Sequence, residues 1–304
     1  MEAFFKLIRW GNVAIIGVTQ VLIYHAFFKT TLLPTTMGGL GYTLLVLATC
    51  FIAAGGYVIN DILDVETDTI NKSENAVVGH SITVSRAYTI YMVLTITGVL
   101  CGFVVANLVG KQMLATLFIG VSFILYLYAS QLKGVAVIGN IIISGIVFLA
   151  IVLPIIFLFY PLLPAVNDTS VKAGMFFLSG VVVDYGFFAF LITLLREITK
   201  DIEDVDGDHA AGYRTLPILI GRKRTSILNA ILGMVVLAIV LRYVILNFAE
   251  NKLLLIYFLV FIVGPLLYFI IRSFQAETRK EYTVLQYVLK GVMLTGVLSL
   301  LFFI

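Results

Sequence analysis

Residues Gly39 to Asp68 read GLGYTLLVLATCFIAAGGYVINDILDVETD, an apolar run that closes on aspartates at 61, 64 and 68. The run up to residue 60 is long enough to cross a bilayer as a helix, which needs about 20 predominantly apolar residues. A second apolar segment ends the same way, in REITKDIEDVDGD from Arg196 to Asp208, with aspartates at 201, 204 and 208. Both endings read D-x-x-D-x-x-x-D. On a helix of about 100° per residue, positions 0, 3 and 7 fall at roughly 0°, 300° and 340°. An unbroken helix therefore gathers the three carboxylates of each motif within an arc of about 60°. Two such stripes facing each other repel: a pair of charges 6 Å apart costs about 3 kcal/mol at an effective dielectric near 20. A cation between them relieves this, and hard oxygen ligands suit Mg²⁺, which binds through a few carboxylates plus substrate phosphate.

The rest of the chain agrees with a membrane setting. Of 304 residues, 61% are hydrophobic and only 12% charged, about half the charge of a soluble domain. The mean hydropathy is +1.08. Nine spans are expected, at about 10–28, 39–60, 85–108, 112–130, 135–157, 173–195, 225–246, 252–271 and 283–303. They form an all-α polytopic membrane protein around a lipid-accessible chamber, with 1–304 as a single domain. The first span lacks a small-residue cleavage pattern and reads as a retained helix, not a signal peptide. Cys50 and Cys101 sit inside apolar segments and define no disulfide or metal framework. A net charge of +3 gives no footprint for nucleic acid.

The two longest polar connections, about 61–84 and 196–224, hold the acidic motifs. With the N-terminus in the cytoplasm, fourteen lysines and arginines fall inside and five outside, the positive-inside pattern. Both motifs are then cytoplasmic. In the second, Arg196 and Lys200 stand four residues apart, and Lys72 follows Asp68 by four in the first. A carboxylate row beside a cation row suits the two sides of a metal–diphosphate complex. Ion pairs on solvated loops are the bland reading, and the recurrence of one spacing on one membrane face argues against it. A divalent-cation transporter is the rival, although transporters place ion sites near the midplane in interrupted helices. A non-catalytic scaffold has no need of two intact motifs.

The paired motifs resemble those of the UbiA-type intramembrane prenyltransferases. Further pieces fall in order: Arg9-Trp10-Gly11-Asn12 is similar to that family's R-P-x-N. Tyr128-Ala129-Ser130-Gln131-Leu132-Lys133 with Gly139-Asn140 is similar to Y-S-x-x-L-K…G-N, and Thr215-Leu216-Pro217-Ile218 with Gly221 to T-L-P-I…G. Trp10 stands where the family has proline, and Asn75 where it often has arginine. The resemblance implies an enzyme that ionises a prenyl diphosphate with Mg²⁺ and passes the prenyl group to a membrane acceptor. It implies Asp61, Asp64, Asp201 and Asp204 as metal ligands, with Asn60, Asp68 and Asp208 as first- or second-shell partners. Asp64, Asp204 and Lys200 carry catalysis, and Lys72, Arg196 and Lys200 hold the diphosphate. Arg9, Asn12, Tyr128, Lys133, Asn140 and Lys290 are expected at the acceptor and chamber. Within the family, Arg196-Glu197 and Glu203 are most similar to the branch that joins geranylgeranyl to geranylgeranylglyceryl phosphate. The branches that prenylate homogentisate, 4-hydroxybenzoate or dihydroxynaphthoate are the alternative.

Some positions stay open at this stage. Lys290, about two turns into the last span, either snorkels to the interface or faces the chamber. Asp184, in mid-span, is either functional or protonated. Glu66, Glu203 and Asp206 fall off the carboxylate arc and are expected to be solvated. His25, His80 and His209 show no ligand spacing.

Overall fold

The computed structural model describes residues 1–65 and 77–304. Those residues are all-α, with nine helices long and apolar enough to span a membrane: α1 Trp10–Lys29, α2 Gly39–Leu63, α3 Val84–Leu108, α4 Gln112–Leu132, α5 Ile138–Leu158, α6 Thr169–Glu203, α7 Arg222–Phe248, α8 Lys252–Gln275 and α9 Arg279–Phe303. Short helices at Glu2–Leu7, Val205–Ala210 and Leu216–Ile220 flank them. The expected number of spans is met, and the largest difference is in the sixth. At 35 residues, α6 is about 52 Å long at 1.5 Å per residue, well beyond the roughly 30 Å of bilayer hydrocarbon. Its polar end therefore continues the helix where the hydropathy pattern suggested a loop. At its other end Asp168 caps the helix, its Oδ1 accepting from the Ser170 hydroxyl at 2.6 Å and the Ser170 amide at 2.7 Å. Those bonds, the hydroxyl's foremost, hold the Asp168 carboxyl below the usual range.

The chain forms two compact units. The first comprises Met1–Leu132, Leu149–Gly186 and Ile304; the second, Lys133–Phe148 and Phe187–Phe303. In the first, α2 and α3 lie against each other along much of their length. Lipid tails give helices no hydrophobic reason to associate, so close approach of small residues supplies the packing. A Cβ on Gly98 would stand 2.7 Å from Ile52 Cγ1, and one on Gly102 would stand 2.2 Å from Phe118 Cδ2. Polar glue adds to this. Gln20 Nε2 donates to the Ala150 carbonyl at 2.7 Å, and the Tyr42 hydroxyl donates to the Gln20 carbonyl at 2.6 Å. At the acidic end of α2, Val58, Ile59 and Ile62 are buried with Leu7, Ala87 and Ala129, which fixes the turn carrying Asn60 and Asp61.

The second unit buries Leu195, Ile198 and Ile202 of α6 against residues of α7, α8 and α9, among them Val236, Phe269, Tyr282 and Leu289. Asn229 Nδ2 ties α7 to α6, donating to the Leu195 carbonyl at 3.0 Å and the Thr199 hydroxyl at 2.9 Å. The Ser226 hydroxyl ties α7 to α8 through the Ser273 carbonyl at 2.6 Å. A capping box of Thr278 and Glu281 starts α9, satisfying amides that otherwise have no partner at a helix N-terminus.

Candidate active site

The first motif lies at the end of α2. Helical geometry stops at Leu63, and Asp64 follows with φ −95° and ψ 5°. Asn60 Nδ2 donates to Asp64 Oδ2 at 2.7 Å, fixing the carboxylate while leaving the amide oxygen for other use. One turn away, Asp61 Oδ1 is 2.7 Å from an Arg9 guanidinium nitrogen. Arg9 in turn lies over the Tyr57 ring, 5.2 Å from its centroid. Its backbone is left-handed, with φ 48° and ψ 53°, which reverses the chain between the short N-terminal helix and α1. The Arg9 carbonyl accepts from the Asn12 amide at 2.8 Å. Asp68 and Lys72, expected at the metal and the diphosphate, lie outside the described residues.

The second motif repeats this construction. α6 runs to Glu203, and Asp204 breaks it with φ −93° and ψ 6°, within a few degrees of Asp64. Both aspartates thus occupy the sparsely used bridge region, where active-site residues are often found. Asp201, on the last turn of α6, accepts from Asn140 Nδ2 at 2.8 Å through its Oδ2. Asn140 is buried on the first turn of α5, and its own carbonyl accepts from Ser144 at 2.7 Å. Asp204 is buried, with Oδ1 3.7 Å from an Arg279 guanidinium nitrogen. Arg196 pairs with Glu197 at 3.0 Å, and Lys200 follows one turn later beside Asp201.

Two expectations need correction. The single arc of three carboxylates does not form on an unbroken helix, because α6 breaks at Asp204. Its short carboxylate favours helix termini over interiors, and Asp208 lies beyond the break in Val205–Ala210. Glu203 is not solvated: it is 8% exposed and accepts a hydrogen bond from Gln286 of α9. Straight continuation of α6 through residue 203 turns that side chain towards α9. Asp206 is exposed as expected, 3.1 Å from Arg222.

The remaining candidates have mixed surroundings. Tyr128, half-buried, opens a π-helical turn, Tyr128–Leu132, at the end of α4. Lys133 Nζ lies over the Tyr213 ring at 5.4 Å, and the Arg214 amide donates to the Gly134 carbonyl at 2.8 Å. These contacts strap the start of the second unit to the loop after the second motif. Lys290 is half-buried on α9, near enough to Arg196 for their charges to interact. Arg279 was not anticipated from the sequence. Its one local signal is its place in the first turn of α9, and nothing there points to an aspartate 75 residues away.

Each motif offers oxygen donors: the carboxylates of Asp61 and Asp64 in the first unit, and those of Asp201 and Asp204 in the second. Among the described residues, no three His, Cys, Asp or Glu side chains converge closely enough to hold a metal by themselves. Sparse hard ligands fit Mg²⁺, which takes one or two carboxylates and completes its shell with water and substrate phosphate.

Comparison with known proteins converges on one family. A sequence model of the UbiA prenyltransferase family matches residues 21–289. A digeranylgeranylglyceryl phosphate synthase of Methanobrevibacter smithii is 33% identical over 232 residues, covering 75% of this chain and 72% of that protein. The synthase of the same name from Pyrococcus horikoshii is 34% identical over 235 residues, covering 76% and 74%. Among solved structures, a UbiA homologue from Archaeoglobus fulgidus bound to GPP and Mg²⁺ superposes with a TM-score of 0.59. It is 17% identical, over 98% of this chain and 99% of that one. A structure described as a digeranylgeranylglyceryl phosphate synthase gives 0.57 at 24% identity, over 98% of both chains.

Proposed function

Because the chain belongs to the UbiA prenyltransferase family, we propose that it moves a geranylgeranyl group from geranylgeranyl diphosphate to the free hydroxyl of geranylgeranylglyceryl phosphate. That it is an integral membrane prenyltransferase follows from the family and the nine apolar helices. The acceptor rests on one observation, the 33–34% identity to synthases named for the product of this transfer. In the reaction an ether bond forms between the acceptor oxygen and C1 of the prenyl chain. The C1–O bond to diphosphate breaks, its electron pair leaves with the diphosphate, and the hydroxyl proton passes to a departing diphosphate oxygen.

The two compact units act as one transferase domain over 1–304. Asp61, Asp64, Asp201 and Asp204 would hold Mg²⁺, with Asn60, Asp68 and Asp208 as supporting ligands; an ion of this kind bound to a diphosphate would supply Lewis-acid stabilisation of the charge on the leaving group. The Archaeoglobus structure, bound to GPP and Mg²⁺, supports a prenyl diphosphate with Mg²⁺ as the bound pair. Asn60 and Asn140 orient Asp64 and Asp201, so that the carboxylates need no rearrangement when the diphosphate arrives. Lys200 and Lys72 supply positive charge to the diphosphate oxygens. Arg9 fixes Asp61, while Asn12, Tyr128 and Lys133 border the acceptor.

The test is product identification by mass after incubating the purified chain with prenyl diphosphates and a panel of acceptors. Conversion of geranylgeranylglyceryl phosphate is expected. Conversion of homogentisate, 4-hydroxybenzoate or dihydroxynaphthoate in its place overturns the lipid reading and leaves the metal chemistry standing.

The N-terminus and both acidic motifs face the cytoplasm in this reading, on the strength of the lysine and arginine distribution. With Cys50 and Cys101 replaced by serine, single cysteines at positions 70 and 210 label from the cytoplasmic side and one at 166 from the other. Labelling of 70 and 210 from opposite faces excludes a shared site.

A further inference from the structure

The last turn of a helix is its least secure part, because its final four carbonyls have no partner inside the helix and the end frays. In the second unit that turn of α6 carries Asp201 and leads into Asp204, two of the carboxylates that would hold Mg²⁺ in the reading above. Helix α9 meets it there. The Gln286 amide donates to Glu203, the residue immediately before Asp204, and the Arg279 guanidinium stands 3.7 Å from Asp204 itself. Arg279 and Gln286 are seven residues apart, about two turns on one face of α9. Farther along the same two helices the Thr193 hydroxyl meets Met293 Sδ at 4.0 Å. The helices therefore run antiparallel, and the break in α6 lies against the start of α9.

The Gln286 contact is seated firmly at both ends. On α9, Tyr282 and Leu289 stand four residues before Gln286 and three after it, and both are fully buried. On α6, Ile202 and Glu203 are buried. A carboxylate in such a place is retained only where donors meet it. Apolar packing already joins the two helices through the cluster that contains Leu195, Ile198, Leu285 and Leu289, and an acid–amide pair adds no apolar burial to it. What the pair adds is direction, since it pins the residue next to Asp204 to a fixed helix. A neutral amide does this without adding to the positive charge that Arg279 brings to Asp204, where a second cation would oppose a divalent ion.

We propose that Gln286 is a positioning residue: by holding Glu203 it fixes the break in α6, and with it the direction in which Asp204 presents its carboxylate to the metal. This inference rests on the prenyltransferase reading above. In this role Gln286 acts through Glu203 and binds neither ion nor substrate. Groups that orient metal ligands typically contribute 10–100-fold to metal affinity, so the effect falls on the Mg²⁺ requirement.

The experiment titrates Mg²⁺ into the purified full-length chain in detergent and follows binding of a fluorescent prenyl diphosphate analogue, a readout independent of turnover. In Gln286→Leu the Mg²⁺ concentration for half-maximal binding rises by roughly tenfold or more. Combining Glu203→Gln with Gln286→Glu reverses donor and acceptor at unchanged net charge, and returns the requirement to within about twofold of wild type. Thr193→Val removes a contact between the same two helices, about 15 Å back along α6 from the motif, and leaves the requirement unchanged. An equal shift in Thr193→Val and Gln286→Leu overturns the proposal, because the contact is then general packing. Failure of the reversed pair to recover the wild-type requirement, folded or not, overturns it as well. Where Gln286→Leu does not elute as a monodisperse species, the reversed pair decides in the same way. If the wild type binds the analogue without regard to Mg²⁺, the metal reading falls and the positioning role falls with it. If the wild type depends on Mg²⁺ and Gln286→Leu matches it, the positioning role alone is wrong.

Discussion

Asp64→Ala and Asp204→Ala each lose prenyl transfer by at least roughly 10²–10³-fold, the range seen when one preorganised electrostatic contact to a developing charge is removed. Each aspartate stands at a helix break: Asp64 accepts from Asn60 at 2.7 Å, and Asp204 has the Arg279 guanidinium 3.7 Å away. Losing either leaves the departing diphosphate less neutralised when the allylic C–O bond is most polarised. The rate of product formation, measured by mass at saturating substrates, reads the loss. A monodisperse elution profile in detergent separates it from misfolding. Asp206→Ala is the matched control, since that carboxylate lies in the same motif yet is largely exposed and pairs with Arg222. It should retain near-wild-type rates. Wild-type turnover in Asp64→Ala or Asp204→Ala means that the helix ends are not the metal site.

Removal of divalent cations with a chelator brings turnover to background, and readdition of Mg²⁺ restores it. The donors at 61, 64, 201 and 204 are all hard oxygens, with no three acids among the described residues close enough to act as a complete cage. An ion held by so few ligands would be shared between protein and substrate, and removing it would remove the main counter-charge of the leaving group. Asn140→Ala tests the same idea without touching a ligand. Asn140 holds Asp201 at 2.8 Å, and loss of such an outer contact typically costs 10–100-fold in metal affinity. The Mg²⁺ concentration for half-maximal binding of a fluorescent prenyl diphosphate analogue should rise by about that factor. Full turnover after exhaustive chelation refutes the metal assignment.

Hydropathy made the nine spans legible because the bilayer demands long apolar runs. The same measure misplaced the end of α6, since it registers hydrocarbon and is blind to a helix that continues past it. Glu203 was misread for a related reason. A carboxylate just beyond an apolar run looks solvated, but continuation of α6 carries it against Gln286. The aspartate spacing was visible in the sequence, whereas the break at Asp64 and Asp204 was not, because helical periodicity assumes an unbroken axis. Arg279 beside Asp204 and Arg9 on Asp61 depend on contacts between residues far apart in the chain, which no local pattern encodes.

The matched breaks at Asp64 and Asp204 set a limit on how far this protein can be stabilised. The C-terminus of a helix carries partial negative charge from its unsatisfied carbonyls, and ordinary helices end on lysine, arginine or glycine. α2 and α6 end on clustered aspartates, against that preference. A programme of stabilising substitutions guided by helix-capping rules would single out residues 61, 64, 201 and 204 as its first repairs. Each repair would gain a few tenths of a kcal/mol of helix stability, up to about 1, and lose the reaction. If these aspartates form the proposed metal site, poor helix ends are what activity requires at the expense of stability. Gains in thermal resistance have to come from elsewhere, such as the membrane-facing surfaces distant from both motifs.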